Sequence, residues 1–250
     1  KGSQAVKSES PHVLVGGVNN LTNPMLIGPS TVENLRDLEI VDGYKNRWWM
    51  QGMYEGKYPA DLVEIFQCET GIFCDENEIG DVSYGRDWIG VNYYNAEVFK
   101  GGGNGAELFP GTTSIDGAGF GEERTDMGWS WTPDGIKETL IQVSQKYPDI
   151  PIFLTENGAC YNYGPSEDGK IHDVKRDEYL ARYISACVDA HKSGVNLKGF
   201  YVWSLLDNFE WAWGFEMRFG LVFVDFKNKM KRTLKESALA YRDLIRSFRS

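Results

Sequence analysis

The sequence predicts an α/β fold built on a parallel sheet. Four apolar, strand-like runs are spaced along the 250 residues, and a helical pattern follows each of them. Strands that alternate with amphipathic helices are typical of βα units, whose neighbouring strands run parallel. With 42% hydrophobic residues, the chain also has enough apolar side chains to build the core of a large domain.

The predicted strands share an apolar composition that is rich in β-branched and aromatic residues, as strands buried in a sheet usually are. They cover residues 12–18, 88–94, 150–155 and 197–204.

Helical spacing and start signals predict the helices. Ser30 or Thr31 provides a cap for a first helix, and Thr132 caps a helix that has Pro133 at its first position. The helix that follows the third strand carries Tyr179, Tyr183, Ala186 and Ala190 on one face. The predicted helices cover residues 31–49, 61–66, 133–146, 174–192 and 234–248.

A long connection follows the second strand. Residues 101–105 read Gly-Gly-Gly-Asn-Gly, and the polar segment continues to Gly121. The run lacks the spacing of a dinucleotide-binding loop, so it predicts a mobile connection. Long loops at one end of a parallel sheet usually carry function.

Four βα units are half of the eight that close a (β/α)₈ barrel. An open four-stranded sheet would leave two edges to cover. The chain also starts abruptly at Lys1 and without Met. We therefore expect a single domain over residues 1–250 that forms the C-terminal half of a TIM barrel.

Composition narrows the function classes. The net charge is −10 and the sequence contains no dense Lys/Arg cluster, which disfavours nucleic acid as a partner. No apolar run approaches the length of about 18 residues that spans a membrane. The three histidines are not paired at metal-ligand spacing, so we expect no metal and no cofactor.

The cysteines are Cys68, Cys74, Cys160 and Cys187. They are few and form no paired Cys-x-x-Cys units, so we expect reduced thiols, with a local Cys68–Cys74 bridge as the alternative. Reduced thiols favour a cytoplasmic location.

Glu156 is the first candidate catalytic residue. It ends the apolar run Pro-Ile-Phe-Leu-Thr-Glu at 151–156, and Asn-Gly then signals a turn. Catalytic groups occupy the carboxyl ends of barrel strands, so Glu156 is a candidate nucleophile or general base. The alternative is a glutamate that caps the next helix or pairs with a lysine.

A dense group of aromatic and acidic residues follows the fourth strand. Residues 202–215 contain three Trp, two Phe and two carboxylates. Aromatic faces pack on the C–H surface of a sugar, and carboxylates accept hydrogen bonds from its hydroxyls, so the segment predicts a carbohydrate site. The alternative is a corner of the core with a surface glutamate.

Several motifs in register resemble glycoside hydrolase family 1, the β-glucosidase family. They are TENG at 155–158, WSLLDNFEW at 203–211 and RFGLVFVD at 218–225, supported by NRW at 46–48, GKYP at 56–59, NYY at 92–94 and GW at 128–129. The resemblance covers almost the whole chain from about residue 12 and matches strands five to eight of the family's barrel.

The resemblance implies a retaining β-glycosidase and a role for each matching residue. Glu156 is the nucleophile that forms a glycosyl-enzyme intermediate. Tyr94 would position the nucleophile, and Trp203 would form the platform under the sugar in the −1 position. Glu210 and Trp211 would bind the hydroxyls of that sugar, and Asn92 and Phe219 would line the site. For Asn92 and Phe219 a purely structural role is the alternative. Glu210 would accept the O4 and O6 hydroxyls and repel a 6-phosphate, which favours a non-phosphorylated β-glycoside.

The family's acid/base lies in an Asn-Glu-Pro motif after strand four, and this triplet is absent from the sequence. The family's early sugar-binding Gln, its His-Trp pair and an Arg near the nucleophile are also missing. We therefore expect an N-terminal half-barrel as partner, either in the same protein before cleavage or as a separate chain. The alternative is an inactive half-barrel that binds carbohydrate or serves as a scaffold.

Overall fold

A computed structural model describes residues 1–70, 79–83, 86–103, 111–115 and 123–248. The helices are α1 (Gly2–Glu9), α2 (Val32–Asp42), α3 (Trp48–Glu55), α4 (Ala60–Thr70), α5 (Pro133–Lys146), α6 (Val174–Lys192) and α7 (Glu236–Ser247). The strands are β1 (Gly17–Asn20), β2 (Pro24–Ile27), β3 (Ile89–Asn92), β4 (Glu97–Gly103), β5 (Gly111–Ile115), β6 (Ile152–Asn157), β7 (Leu197–Val202), β8 (Val222–Asp225) and β9 (Lys231–Leu234).

The main sheet has four parallel strands in the order β1-β3-β6-β7. Each strand pairs with the next one in the sheet, and helices connect them, as the sequence predicts. Parallel pairing places the carboxyl ends of all four strands at one edge of the sheet. In the register, Asn92 at the end of β3 lies opposite Glu156 near the end of β6.

The first strand begins later than predicted, at Gly17 rather than at residue 12. The apolar residues before it find no ladder in the described part of the chain, and Leu14 is 69% exposed. Val15 instead exchanges hydrogen bonds with Asp87: its N–H donates to the carboxylate at 2.8 Å, and its carbonyl accepts from Asp87 N–H at 2.9 Å.

Two helices have the predicted bounds, α5 and α6, and the predicted apolar face of α6 is buried. The predicted helix 31–49 is divided into α2, a π-helical turn over Gly43–Arg47, and α3. Thr31 caps α2 by accepting from Asn34 N–H at 3.2 Å. Thr132 precedes α5 but makes no capping bond, because its Oγ1 accepts from Ala96 N–H at 2.8 Å.

Two smaller sheets were not predicted. The β2-β4-β5 sheet replaces part of the expected mobile connection, because β4 and β5 pair antiparallel. The rest of that connection, residues 104–110 and 116–121, lies outside the described residues. The β8–β9 hairpin precedes α7 and delays the start of that helix from residue 234 to Glu236.

The hydrophobic core lies between the main sheet and the helices α5 and α6. Alternate strand residues point into it, and Ile89, Val91, Ile152 and Leu154 are fully buried. The opposite face of the sheet is open among the described residues. There, Leu14, Trp88, Phe153 and Tyr201 border a shallow cavity of about 630 Å³, and Tyr201 is 55% exposed. One covered face and one open face are what a half-barrel has.

Other sequence expectations concern thiols, metals and membranes. Cys160 and Cys187 are free and buried, whereas the side chains of Cys68 and Cys74 lie outside the described part of the chain. Within the described ranges, no cluster of three or more His, Cys, Asp or Glu side chains is arranged for a metal ion. None of the helices in those ranges combines the length and apolarity needed to cross a membrane.

The ends of β6 and β7 approach each other closely at Gly158. Trp203 N–H donates to Asn157 carbonyl at 2.9 Å, and a Cβ on Gly158 would lie 1.8 Å from the carbonyl oxygen of Trp203. The three nearest atoms all belong to the backbone of Trp203, so there is no flexible side chain that could move aside.

We predict that Gly158→Ala lowers the free energy of unfolding by about 3 kcal/mol, the upper range for inserting a methyl group into a packed site. Urea unfolding followed by tryptophan fluorescence measures the change. The matched control is Gly164→Ala, where no atom lies within 4 Å of the new methyl group, so stability should change by less than about 0.5 kcal/mol. Equal midpoints for the two variants would contradict the close approach.

Candidate active site

A short hydrogen bond joins Glu156 to Tyr94 at the carboxyl edge of the main sheet. The Tyr94 hydroxyl donates to Glu156 Oε2 at 2.6 Å. Tyr94 follows β3 by two residues, and Glu156 is near the end of the neighbouring β6, so the parallel register brings them together. Burial, and then the bond to Glu156, raise the pKa of Tyr94 far above its ordinary value. The Tyr94 hydroxyl therefore keeps its proton and remains a donor to Glu156.

Buried polar groups hold this pair from behind. The Tyr179 hydroxyl of α6 donates to the carbonyl of Tyr94 at 3.1 Å. It accepts from the Asn157 side-chain amide at 3.1 Å, and the same amide donates to the carbonyl of Tyr93 at 2.7 Å. Asn157 is fully buried, and its Oδ1 has no partner among the described atoms. The residue after the candidate nucleophile thus ties β6 to the segment that carries Tyr94.

Sequence reasoning missed Asn157 and Tyr179 as supports of the site. Asn157 stands inside the TENG motif, where it signals a turn, and Tyr179 lies on the apolar face of a helix. Their neighbours in sequence give no sign that the two side chains meet each other.

Three aromatic rings form one wall of the site. The ring centroids of Tyr94, Trp129 and Phe219 are separated by 5.4 Å (Tyr94–Trp129), 5.9 Å (Trp129–Phe219) and 6.3 Å (Tyr94–Phe219). These are favourable distances for tilted and edge-to-face aromatic pairs. Phe219 is only 2% exposed, so it shapes the wall from within rather than presenting a free face.

Glu210 is a second carboxylate of the same region. It is buried, and the Trp203 side chain forms a hydrogen bond with it. Burial raises the pKa of Glu210, the bond from Trp203 opposes the rise, and the negative charge of Glu156 adds to it. The two carboxylates are therefore close enough for the charge of one to disfavour ionisation of the other.

In the described part of the chain, the side chains of two predicted site residues, Asn92 and Trp211, form no hydrogen bond or ring contact with the side chains of Glu156 and Tyr94. Asn92 Oδ1 accepts from the Thr155 hydroxyl at 2.7 Å, which fixes its amide beside β6. Trp211 is 82% exposed and has a positive φ of 40°. The structure thus assembles Glu156, Tyr94 and Phe219 with the Trp203–Glu210 pair, whereas the Trp211 ring points into solvent in this chain.

A cavity of about 480 Å³ adjoins Tyr94 on the side of Trp129. Its lining is mostly polar and includes Asn20, Asn95 and Arg124. Aromatic rings beside amides and carboxylates suit a neutral ligand with many hydroxyl groups.

The family model described as "Glycosyl hydrolase family 1" matches residues 1–249. A bifunctional beta-D-glucosidase/beta-D-fucosidase of Bifidobacterium breve is 34% identical over 218 residues, which are 82% of this chain and 47% of that protein. A 6-phospho-beta-galactosidase of Staphylococcus epidermidis is 31% identical over 264 residues, with 96% of this chain and 56% of that protein covered.

A solved family 1 β-glucosidase from Thermotoga maritima superimposes with a TM-score of 0.87 at 29% sequence identity. The match covers 98% of this chain and 53% of that structure. The chain therefore spans about half the length of the relatives it matches.

We predict that Glu156→Gln lowers the pKa of Glu210, because the substitution removes the like charge that disfavours its ionisation. Carboxyl ¹³C NMR, with the Glu210 signal assigned from Glu210→Gln, measures the shift. The matched control is Glu167→Gln, an exposed glutamate of the loop after β6, which should leave the pKa of Glu210 unchanged. An unchanged Glu210 titration in Glu156→Gln would contradict the proximity of the two groups.

Proposed function

The chain belongs to glycosyl hydrolase family 1, and from this we propose that it forms the second half of the catalytic barrel of a retaining β-glycosidase. The enzyme hydrolyses terminal, non-reducing β-D-glycosides in the manner of a β-glucosidase. The observation that carries the proposal is the 2.6 Å bond from Tyr94 to Glu156 at the carboxyl edge of a parallel sheet.

Glu156 acts as the nucleophile. Tyr94 donates to Oε2, which leaves Oε1 to attack the anomeric carbon of the sugar. The new C1–Oε1 bond forms as the bond from C1 to the leaving oxygen breaks, and an acid gives that oxygen a proton. Water then attacks C1 while the C1–Oε1 bond breaks and frees the Glu156 carboxylate; the water gives a proton to the same acid/base residue, and the sugar leaves with its original anomeric configuration.

A retaining site needs a second carboxyl group about 5–5.5 Å from the nucleophile. Since the sequence has no Asn-Glu-Pro triplet, we assign the acid/base to an N-terminal half-barrel, from the same protein or from a separate chain. In support, β1 and β7 are the edges of the four-stranded sheet, and the sheet face near Leu14 and Tyr201 is open. Residues 1–250 would then be one part of a single barrel domain.

Glu210, Trp203 and Trp211 bind the sugar in the −1 position. Glu210 and Trp203 already form a pair, and we assign to them the hydroxyls and the platform under the ring. Asn92 and Phe219 line the site, and the N-terminal half would cover the exposed Trp211 ring. A cytoplasmic location, favoured by cysteine usage, belongs to the same proposal.

The main competing function is an inactive half-barrel that binds carbohydrate or serves as a scaffold. It retains the sugar-binding residues and has no use for a nucleophile. The Tyr94 bond favours the enzyme, since a carboxylate that only binds hydroxyls does not need a dedicated donor on one of its oxygens. The first prediction below separates the two functions.

We predict that the chain alone becomes covalently labelled at Glu156 by 2,4-dinitrophenyl 2-deoxy-2-fluoro-β-D-glucoside. The activated leaving group departs without an acid, so the nucleophile reacts although the acid/base is absent. Intact mass and peptide mapping should show one fluoroglucosyl group on Glu156 and none in Glu156→Gln. Glu216→Gln, an exposed glutamate nearby, is the matched control and should label normally. A chain that binds the sugar but never labels would support the scaffold instead.

The complete protein with both halves should lose its turnover of aryl β-glucosides in Glu156→Gln. The chain alone should not hydrolyse unactivated disaccharides at enzymatic rates, because their leaving oxygen needs the acid. Hydrolysis of cellobiose by the purified 250-residue chain would place the acid/base within these residues and overturn the assignment.

Tyr94→Phe should lower kcat of the complete protein about 10- to 100-fold, the range for losing a hydrogen bond to a charged group. Because the pKa of Tyr94 lies far above its ordinary value, the basic limb of the pH profile should not move in the variant. Initial rates between pH 4 and 10 measure both effects. Tyr163→Phe, whose ring packs on Tyr161 outside the site, should behave as the wild type; equal rates for both variants would remove Tyr94 from the mechanism.

A β-glucoside should be a far better substrate than its 6-phosphate, because the buried Glu210 carboxylate would face the phosphate. Like charges at a desolvated contact cost several kcal/mol, so we expect a preference in kcat/KM of at least about 100-fold. Glu210→Ser should narrow that preference. An unchanged preference in Glu210→Ser would show that Glu210 does not face the 6-position.

A further inference from the structure

Arg176 is an almost fully buried charge behind the site. It lies in the first turn of α6, and its side chain is 1% exposed. Nη1 donates to Asp173 Oδ2 at 3.0 Å, and Nη2 donates to the backbone carbonyls of Tyr161 at 3.0 Å and Arg218 at 2.7 Å. Nε is also buried and has no hydrogen-bond partner among the described atoms, so the bonds from Nη1 and Nη2 are what hold the buried guanidinium in place.

The two carbonyls belong to the loops that follow β6 and β7. Tyr161 follows Glu156 in the loop after β6, and Arg218 follows Glu210 in the loop after β7. The loops meet directly where Tyr161 N–H donates to the carbonyl of Arg218 at 3.2 Å. Arg176 therefore fastens the loop of the nucleophile to the loop of the sugar-binding carboxylate at their point of contact.

Arg218 connects the contact between the two loops to Glu210 and to the aromatic wall. Its guanidinium donates to Asp207 Oδ2 at 2.6 Å, and Asp207 stands three residues before Glu210. Phe219 directly follows Arg218 in the sequence, and the centroid of its ring is 6.3 Å from that of the Tyr94 ring. A shift of the Arg218 backbone would thus move both the aromatic wall and the start of the Glu210 segment.

Asp207 is itself held rigidly. Its Oδ1 accepts from Lys235 Nζ at 2.9 Å and from Gly220 N–H at 3.0 Å, and Asp207 and Lys235 are both buried. The Glu210 loop is therefore anchored at Asp207, and the anchor is joined through Arg218 to the bonds of Arg176. Because these groups are joined by short hydrogen bonds, a change at Arg176 should be transmitted to the Glu210 loop.

We propose that Arg176 is a positioning residue that sets the place of Glu210 relative to Glu156 by clamping the Tyr161 and Arg218 carbonyls together. The inference rests on the proposed function. It acts on substrate recognition at the sugar's hydroxymethyl group rather than on the covalent step, because Glu156 keeps its own support from Tyr94 and Asn157.

The test is Arg176→Lys in the complete protein with both halves. Lysine keeps the charge but cannot reach Asp173 and both carbonyls with one ammonium group. Its kcat/KM for an aryl β-glucoside should fall about tenfold or more relative to that for the aryl β-xyloside, which lacks the hydroxymethyl group, since small misplacements in a site cost up to about 100-fold. Arg182→Lys on the exposed side of α6 is the matched control and should leave the ratio unchanged.

A double-mutant cycle with Glu210→Gln separates positioning from loss of structure. If Arg176 acts through Glu210, Arg176→Lys should change the glucoside-to-xyloside ratio little in the Glu210→Gln background. Titration of active sites with the fluoroglucoside corrects the rates for any unfolded fraction. Equal loss on both substrates, or the same loss in both backgrounds, would overturn the proposal.

Binding provides a readout that does not depend on turnover. Calorimetry with deoxynojirimycin and with its analogue that lacks the hydroxymethyl group should show the same selective loss of about tenfold in Arg176→Lys. Failure of the wild type to hydrolyse either glycoside would count against the proposed function. An unchanged inhibitor ratio in Arg176→Lys would count against the role of Arg176 alone.

Discussion

The parallel pairing of β3 with β6 is the constraint on which the site depends. Asn92 lies opposite Glu156 in this register, so the chain beyond β3 delivers the Tyr94 hydroxyl to the carboxylate at 2.6 Å. A slip of one residue would turn the side chains of β6 to the opposite faces of the sheet. Burial of Ile152 and Leu154 against the helices opposes that slip, since it would move both into the open face. The register shifts between Val91 and Asn92, so Asn92 pairs with Glu156 and not with Thr155, and this irregularity places the Glu156 carboxylate within reach of Tyr94.

Buried polar groups supply the second level of organisation. Asn157, Tyr179 and Arg176 each bond to backbone carbonyls near the ends of strands, where loops begin. Leaving such donors without partners in the interior is costly, so each of them restricts the loops that it contacts. The end of β6, which carries Glu156, and the loop that carries Glu210 are held in this way. The supporting side chains of Asn157, Tyr179 and Arg176 are themselves buried.

Besides the open face of the sheet, the chain has a second exposed apolar surface, formed by aromatic residues near Trp211. Phe209, Trp211 and Trp213 are all more than half exposed in this chain. Exposed apolar groups of this size mark contact surfaces in soluble proteins. The open sheet face and these aromatic residues are the apolar surfaces that the proposed N-terminal half would cover.

Local pattern was sufficient to predict the strand–helix alternation, the bounds of α5 and α6, and Glu156 at the end of a strand, because apolar periodicity and turn residues are local properties. The motifs around Tyr94, Trp203 and Glu210 indicated the family in the same way. The β4–β5 hairpin, the late start of β1 and the hydrogen bond from Ala96 N–H to the Thr132 hydroxyl were not predictable, since each depends on a partner distant in sequence. The clamp at Arg176 is of the same kind. In the sequence, Arg176 looks like an ordinary charged residue of a helix. Only the tertiary packing buries its guanidinium beside two carbonyls from separate loops.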